Sequence, residues 1–542
     1  MIKGLTEAVV TGSQFRDVSP GEDLIELGDR PLTVDDVAGL ARGDLRIRLH
    51  DHGALRERLE ISSQRLQNQL EAGREVYGVT TGFGESCLNS VESQYAMDLP
   101  RNLVRFHGCG VGEPLSDEAA AATVAARLAS LAAGWSAVRP EVLERLCDLL
   151  NHRILPVIPS QGSVGASGDL TPLSYVAAVL QGEREVRFQG VPMAAAEAFQ
   201  QLNLEPLAFR PKESLAMMNG TSVMAGLSCL ALVRARRLAR FAATLTAMAS
   251  DVLRGNSGHF DDRIFAAKPH PGQRACARWI REHLQSSEGG GAWNGHLPGG
   301  GETSSRIQDR YSVRCAPHVI GVLVDSLPWM SRWLETEVNG ANDNPLIDPD
   351  TGDVLHGGNF YGGHCCFVAD GLKNNVANIA DLLERQMVLL LSPSSNNGLP
   401  ENLVARTGGD RYSHHGFKAM EITASALTAE ALKLTMPASV FSRSTEGHNQ
   451  DKVSMGTIAA RDSLRVLDLT ETVAAIATLA LCQGVDLRGL DSCRPRTLAM
   501  HRKVRERVKF NQGDRRQDVD IEQVLDLLRN DELPMGSWDF EV

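Results

Sequence analysis

The sequence predicts a mainly α fold, with an N-terminal region of shorter helices followed by a long up-and-down helix bundle. Three observations carry that expectation. Aromatic residues make up only 5% of the chain while alanine and leucine are abundant, a balance that suits packed helices better than a β-sandwich. Four segments, 221–253, 368–391, 417–434 and 455–483, are long and Ala/Leu-rich, with apolar residues recurring at helical spacing. These segments are apolar over much of their girth, so each needs partners on several sides, which a bundle completed by other subunits supplies. At 542 residues the chain is longer than one core commonly holds. The expected division is an irregular leader at 1–30, an N-terminal region at 31–215, the bundle at 216–490 and a helical tail at 491–542.

In chain order, short helices with turn punctuation begin at Thr33. A helix is expected over 52–72, carrying Leu55, Leu59, Ile61, Leu66 and Leu70. Residues 77–84 are too dense in Gly and Thr to continue as helix. Ser116 is placed to cap a helix running to Ala133, with Asp117 and Glu118 in its first turn. Another helix is expected over 143–150. Residues 154–171 form a Pro/Gly/Ser-rich loop, without a β-strand signal ahead of its Gly-rich part, that opens into a helix at Pro172. The stretch 289–301 (GGGAWNGHLPGGG) reads as a surface loop or linker. No repeat at a solenoid period is present.

Composition narrows the function class. Hydrophobic residues at 43% and charged residues at 23% describe a globular chain rather than a disordered one. A net charge of -12 disfavours nucleic acid, which needs a concentrated basic face. None of the ten cysteines is spaced C-x-x-C, and the His50/His52 and His414/His415 pairs fit no metal-ligand pattern, so no metal is expected. The start Met-Ile-Lys-Gly-Leu-Thr-Glu lacks an apolar signal core, and the longest apolar run, 473–482, is too short to span a bilayer. A reducing cytoplasm is the expected location, with thiols as core filler.

The chemistry concentrates in Gly162-Ser163-Val164-Gly165-Ala166-Ser167-Gly168-Asp169-Leu170. It has neither the Lys-Ser/Thr of a P-loop nor the G-x-G-x-x-G of a dinucleotide fold. A different chemistry fits. In a compressed turn a backbone nitrogen can attack the carbonyl two residues earlier, and glycine permits the approach because it lacks a Cβ. Gly168 nitrogen would attack the Ala166 carbonyl. Loss of two waters, one from the Ser167 side chain, would leave a methylene electrophile at the former Ser167 Cβ.

Ala166-Ser167-Gly168-Asp169-Leu170 resembles the signature of the aromatic amino acid ammonia-lyases and aminomutases, whose 4-methylideneimidazol-5-one (MIO) forms from Ala-Ser-Gly. Further blocks occur in that family's order between Thr33 and Gly489: 77–84 (YGVTTGFG), 218–222 (MNGTS), 308–314 (QDRYSVR), 342–346 (NDNPL), 357–360 (GGNF) and 448–451 (HNQD). The resemblance implies a fumarase/aspartase-like helical architecture and a homotetramer whose active sites draw on more than one subunit. It implies an aromatic amino acid as substrate and MIO as the sole cofactor. It also implies the catalytic set Tyr77, Ala166, Ser167, Gly168 and Tyr311. Tyr77 matches the family's base on a closing loop, and Tyr311 its second tyrosine. Arg314 matches the carboxylate anchor, since a guanidinium makes two parallel hydrogen bonds to a carboxylate. Gln308, Tyr311 and Arg314 are spaced to share one helical face. Asn219 resembles the asparagine that hydrogen-bonds the MIO ring or substrate, Phe360 packs near the substrate, and Asn344 is structural support.

The family reads its substrate ring partly through a pair of consecutive residues, here Phe106-His107. Phenylalanine lyases resemble Phe-Leu at this pair, histidine lyases and some tyrosine-specific members Ser-His, and other tyrosine lyases His-Leu. Phe106 suits a phenyl face, and His107 suits a phenolic hydroxyl that would otherwise be buried unpaired; the alternative is a core histidine satisfied by backbone. Phe417-Lys418 resembles the Phe-Lys of phenylalanine and tyrosine lyases, where histidine lyases have Phe-Met. Glu446, Asn449 and Gln450 fall in a block resembling Glu-Gln-His-Asn-Gln of the phenylalanine branch, with Gln450 where histidine lyases carry a glutamate. The expected reaction is elimination of ammonia from tyrosine, then phenylalanine, then histidine. A 2,3-aminomutase and an inactive helical scaffold are the other readings.

Overall fold

The computed structural model describes residues 24–92, 95, 98–285 and 307–536, and within them the chain is mainly helical. The stretch 289–301, expected as a surface loop, lies outside the described residues. The bundle is built from Ser222–Val252, Ala316–Asn339, Gly363–Leu391, Lys418–Lys433 and Gly456–Arg488. Gly363–Leu391 packs along Gly456–Arg488, and both pack on Ser222–Val252. Strong helix formers lower the cost of such length, but burial decides it: Ser222–Val252 is buried on most of its turns. Arg234 ties two of these helices together, donating to Asp468 at 2.6 Å and to Glu471 at 2.8 and 3.0 Å. The 316–339 helix was not among the expected segments. It carries Pro328 in its interior, which removes one ladder hydrogen bond and masks the segment as a turn to a sequence reader.

The N-terminal region follows its sequence cues closely. Helices form over Ala54–Glu71, Asp117–Ala132 and Pro140–Asn151. Ser116 caps the second of these, its side chain accepting from the Ala119 amide. Two expectations are corrected. Leu24–Leu27, placed in the irregular leader, is a strand pairing in parallel with Arg46–Leu49. Short strands Ile154–Pro156 and Pro159–Gln161 precede the Gly-rich loop, where no strand signal was read. Both are three residues long and contain proline, so neither shows an alternating pattern. Pairing of 154–156 with 185–188, and of 159–161 with 111–114, makes them strands.

A large hydrophobic core draws on residues from Ile25 to Leu533, and a second, small cluster gathers Leu66, Val76, Val79, Ala137 and Ile347. The 215/216 division falls inside the Glu213–Met218 helix. Functionally, the important consequence is where the Gly-rich loop ends. Asp169 is fully buried at the start of Ser222–Val252, and its Oδ2 accepts from the Met224 amide at 2.9 Å. A carboxylate there satisfies an orphan donor and complements the helix dipole. Its Oδ1 accepts from Ser163 Oγ at 3.0 Å and from the Thr457 hydroxyl. Burial still raises the Asp169 carboxyl above its ordinary range, opposed by the Thr457, Met224 and Ser163 donors. The loop is therefore anchored to two bundle helices at once.

Candidate active site

A cavity of about 600 Å³ is lined by residues from 77–87, 103–107, 166–170, 215–219, 344–360 and 446–453. That volume suits a small organic molecule. Its wall includes Tyr77, Phe106, His107, Ala166, Ser167, Asn219, Phe360, Glu446, Asn449 and Gln450. Gly168 is buried next to Ser167. Most of the residues singled out in the sequence therefore meet in one place.

The backbone of the tripeptide is bent sharply. Ser167 has φ +48° and Gly168 φ +79°, conformations that glycine tolerates and serine rarely adopts. Gly220 braces it from behind, donating to Ser167 O at 3.1 Å and accepting from the Asp169 amide at 2.7 Å. A Cβ on Gly168 would lie 2.1 Å from Gly220 O, so nothing larger fits. From the other side, the Met455 amide donates to Val164 O at 3.0 Å. Gln450 Nε2 lies 3.4 Å from Ser167 Oγ, while Gln450 Oε1 accepts from the Thr445 hydroxyl at 2.8 Å.

Tyr77 sits on the 77–84 loop, with its hydroxyl oxygen accepting from the Gly84 amide at 2.7 Å. Burial raises its phenol above the ordinary value, the Gly84 donor lowers it, and the Glu446 carboxylate raises it again. His356 meets the Tyr77 ring edge-on, with centroids 6.4 Å apart. Glu446 Oε1 accepts from the Glu85 amide at 3.2 Å and Oε2 from Asn449 Nδ2 at 3.3 Å. Phe106 and His107 end the Leu99–Phe106 helix, their rings 4.2 Å apart. Burial pushes the His107 imidazole down to about 4, so the ring is neutral near pH 7.

Behind Asn219 lies a fully buried charged cluster. Lys212 Nζ is 2.5 Å from Asp343 Oδ2, with both side chains inaccessible. Asn219 Nδ2 donates to Asp343 Oδ1 at 3.1 Å and to Asn344 O at 2.9 Å. Arg127, also fully buried, donates to Asn219 O at 3.1 Å. Burial lowers its guanidinium to about 10, with Asp343 pulling the other way.

A family model for aromatic amino acid lyases matches residues 32–506. The chain belongs to the aromatic amino acid lyase family. A histidine ammonia-lyase from Caldanaerobacter subterraneus is 35% identical over 499 residues, which cover 92% of this chain and 95% of that protein. A tyrosine ammonia-lyase from Cupriavidus metallidurans is 38% identical over 517 residues, with 92% and 95% coverage. The structure of a tyrosine aminomutase from Streptomyces globisporus matches with a TM-score of 0.86 at 36% identity, covering 94% of this chain and 97% of that one. This aromatic amino acid lyase family member is thus a carbon–nitrogen lyase with the family's helical architecture.

Not every expected residue of this lyase reaches the cavity. Gln308, Tyr311, Arg314 and Lys418 do not line it. The shared helical face expected for Gln308, Tyr311 and Arg314 is also corrected, because the helix spans only Tyr311–Arg314 and Gln308 lies in a bend before it. Arg314 Nε donates to Asp309 O at 3.0 Å, and its guanidinium stacks 4.7 Å from the centroid of the exposed Tyr311 ring. Lys418 opens the Lys418–Lys433 helix, exposed to solvent. Conversely, sequence reading passed over His356 and the Lys212–Asp343 pair. The first adjoins the 357–360 block; of the second, Asp343 lies in the 342–346 block, but nothing in the sequence pairs it with Lys212, 131 positions away. Among the described residues, no group of three or more His, Cys, Asp or Glu side chains is placed to hold a metal, and no helix is long and apolar enough to cross a membrane.

Proposed function

We propose that this lyase eliminates ammonia from L-tyrosine to give p-coumarate, with L-phenylalanine, giving trans-cinnamate, as a second substrate. The observation that carries the choice is His107, a neutral imidazole on the cavity wall beside Phe106. A neutral ring nitrogen pairs with a phenolic hydroxyl, and the adjoining phenyl supplies an apolar face. Gln450 supports the exclusion of histidine as first choice, since it offers the cavity an amide where an imidazolium would favour a carboxylate.

MIO would be formed from Ala166, Ser167 and Gly168. The surroundings fit it: the turn is already compressed, and Gly220 O leaves no room for a Cβ on Gly168. The group supplies a carbon electrophile for the substrate amine. The chain's own residues do the remaining work. Gly220, Asp169 and Met455 hold the loop in its bent form. Tyr77 takes the proton from the carbon beside the ring as phenolate, to which, among the described residues, the Gly84 amide donates. Burial and Glu446 oppose that ionisation, so the positive charge the base needs comes from outside the cavity of a single chain. Arg314, half-buried, and the exposed Tyr311, neither of them lining this cavity, supply that charge and the carboxylate anchor from another subunit of a homotetramer.

The aminomutase reading is second, favoured by the likeness to the tyrosine aminomutase structure. Incubation with tyrosine, phenylalanine and histidine separately, followed by identification of unsaturated acids and β-amino acids, tests both. Release of p-coumarate with a kcat/KM above that for cinnamate is expected. Urocanate as the main product, or β-tyrosine in place of p-coumarate, would replace the assignment.

A further inference from the structure

The seat of Arg314 is built from residues that the sequence does not single out. Its Nε donates to the Asp309 carbonyl at 3.0 Å, and its guanidinium lies over the Tyr311 ring. Among the described residues neither Nη nitrogen has a hydrogen-bond partner, so with Nε committed the fork is presented end-on. Asp309 is in turn held through its other polar groups. Its amide donates to His259 Nε2 at 3.0 Å, and its Oδ2 accepts from the Asn256 amide at 2.8 Å. Gly255 permits that approach, since a Cβ there would lie 2.8 Å from Asp309 Oδ2. Both holders follow the end of the Ser222–Val252 helix, where the Gly255 amide closes on Ser250 O at 2.7 Å and His259 sits in the short Ser257–Phe260 helix. On the bundle side, Gln386 Nε2 donates to Ser312 O at 2.8 Å and to the Thr246 hydroxyl oxygen at 2.9 Å. The 309–314 segment is therefore pinned at two points, and the Asp309 end is the one that bears on the guanidinium. A backbone amide only donates, so His259 Nε2 is the acceptor and the ring is neutral, with its proton on Nδ1. The surroundings keep it so. Burial lowers the imidazole, the Asp309 carboxylate 3.8 Å away opposes that, and the Arg314 charge lowers it further.

We propose that His259 is a positioning residue for Arg314: by accepting from the Asp309 amide it fixes the carbonyl that holds Nε, and so aims both Nη nitrogens at the substrate carboxylate. The inference rests on the lyase reading above, in which Arg314 anchors that carboxylate in another subunit's cavity, and adds the residue that aims it. An arginine side chain has many rotamers, and ordering it on binding costs affinity. Fixing Nε beforehand removes part of that cost. A histidine that merely closes a loop ends in a backbone group, whereas this one leads, through one residue, to a guanidinium fork with both Nη nitrogens left over.

Two variants of the full-length enzyme are compared: His259→Phe keeps a ring without the acceptor, and His259→Gln keeps a neutral acceptor. The quantities read are kcat and KM for tyrosine, and the Kd, by calorimetry, of p-coumarate and of 4-vinylphenol, its counterpart without the carboxylate. His259→Phe is expected to raise the KM and the Kd of p-coumarate about 10-fold, as for loss of a hydrogen bond to a charged group. Its kcat and its Kd for 4-vinylphenol stay unchanged, because the binding lost is common to ground and transition states and confined to the carboxylate. His259→Gln recovers both affinities. In an Arg314→Ala background, His259→Phe adds nothing to the loss of p-coumarate binding, within about twofold, because the two residues act as one unit. Unchanged p-coumarate binding in His259→Phe overturns the proposal. So does an equal weakening of 4-vinylphenol, no recovery in His259→Gln, an additive loss in the double variant, or an insoluble His259→Phe chain, each of which makes the histidine a scaffold element. Unchanged p-coumarate binding in Arg314→Ala would instead sink the anchor reading, and the proposal with it. Absence of ammonia release by the unsubstituted enzyme from any of the three amino acids would sink the lyase reading itself.

Discussion

The backbone amide of Gly84 donates to the phenolic oxygen of Tyr77 at 2.7 Å, joining the two ends of the 77–84 loop through the proposed base. A donor at that distance favours the phenolate, and it leaves Tyr77 pointing at the same cavity as Ser167. The Tyr77→Phe variant removes the proton acceptor and keeps the ring packing against His356. Its kcat is expected to fall by roughly 100- to 10,000-fold, the range for removal of a general base. Intact mass should still show two waters lost, because Tyr77 does not contact the 166–168 backbone hydrogen bonds.

Gly168→Ala tests the compressed turn. Its methyl would meet Gly220 O at 2.1 Å, and φ +79° is strained for alanine. Stability should drop by about 1–3 kcal/mol. The turn should relax away from the approach that ring closure needs. Intact mass is expected to show the full, undehydrated chain, with the near-ultraviolet spectrum of Ser167→Ala.

His107→Leu tests the substrate. Leucine leaves a phenolic hydroxyl without a partner, at a cost of about 1–3 kcal/mol, so kcat/KM for tyrosine should fall roughly 10- to 100-fold. Phenylalanine loses nothing by the change. Equal losses for the two amino acids would remove His107 as the specificity residue.

Mixed assemblies test the missing part of the cavity. Tyr77→Phe and Arg314→Ala chains are each expected to be nearly inactive alone. Co-expressed under separate tags and purified through both, they should regain activity, because an intact Tyr77 and an intact Arg314 can then meet from different chains. No recovery would place Arg314 in the cavity of its own chain.

Acid stability should report His283. The ring is 5% exposed, faces the Thr497 hydroxyl at 3.4 Å, and is pushed down to about 3 by burial with Arg496 adding repulsion. In the unfolded chain it titrates near 6.5. As pH falls below about 6.5 the unfolded state therefore binds the proton first. The stabilisation is complete above that pH and is lost toward about 3, at up to about 1.4 kcal/mol per pH unit. His283→Gln keeps a partner for Thr497 and abolishes the titration. Its acid-unfolding midpoint, followed by circular dichroism, should move to lower pH.

The bundle was legible because its signal is long and redundant. The 222–252, 363–391, 418–433 and 456–488 helices each repeat the same apolar spacing over several turns, and ends shift by only a few residues. The 316–339 helix escaped because Pro328 breaks the propensity pattern that burial then overrides. Of the site, the bend at Ser167-Gly168 was readable from local chemistry, and the Tyr77 loop and the Phe106-His107 pair from the resemblance to the family. Residues whose importance lies in a distant partner were not. Asp169 matters through Met224 and Thr457, and Asp343 through Lys212 and Asn219, contacts that no spacing in the chain announces. The misread face of Gln308, Tyr311 and Arg314 came from extending a helical period beyond a helix only four residues long.

The segments that press on Ser167 and Gly168 lie far along the chain: Gly220 is some fifty residues downstream, and Met455 and Thr457 nearly three hundred. A ribosome releasing this polypeptide therefore delivers the reactive turn long before the walls that squeeze it. On the reading proposed above, dehydration waits for the last of those walls, and the lost waters become a stamp of completed folding. Chains that stall on the way would remain heavier by that amount and chemically inert, so a population's average mass would report how much of it ever reached the native state.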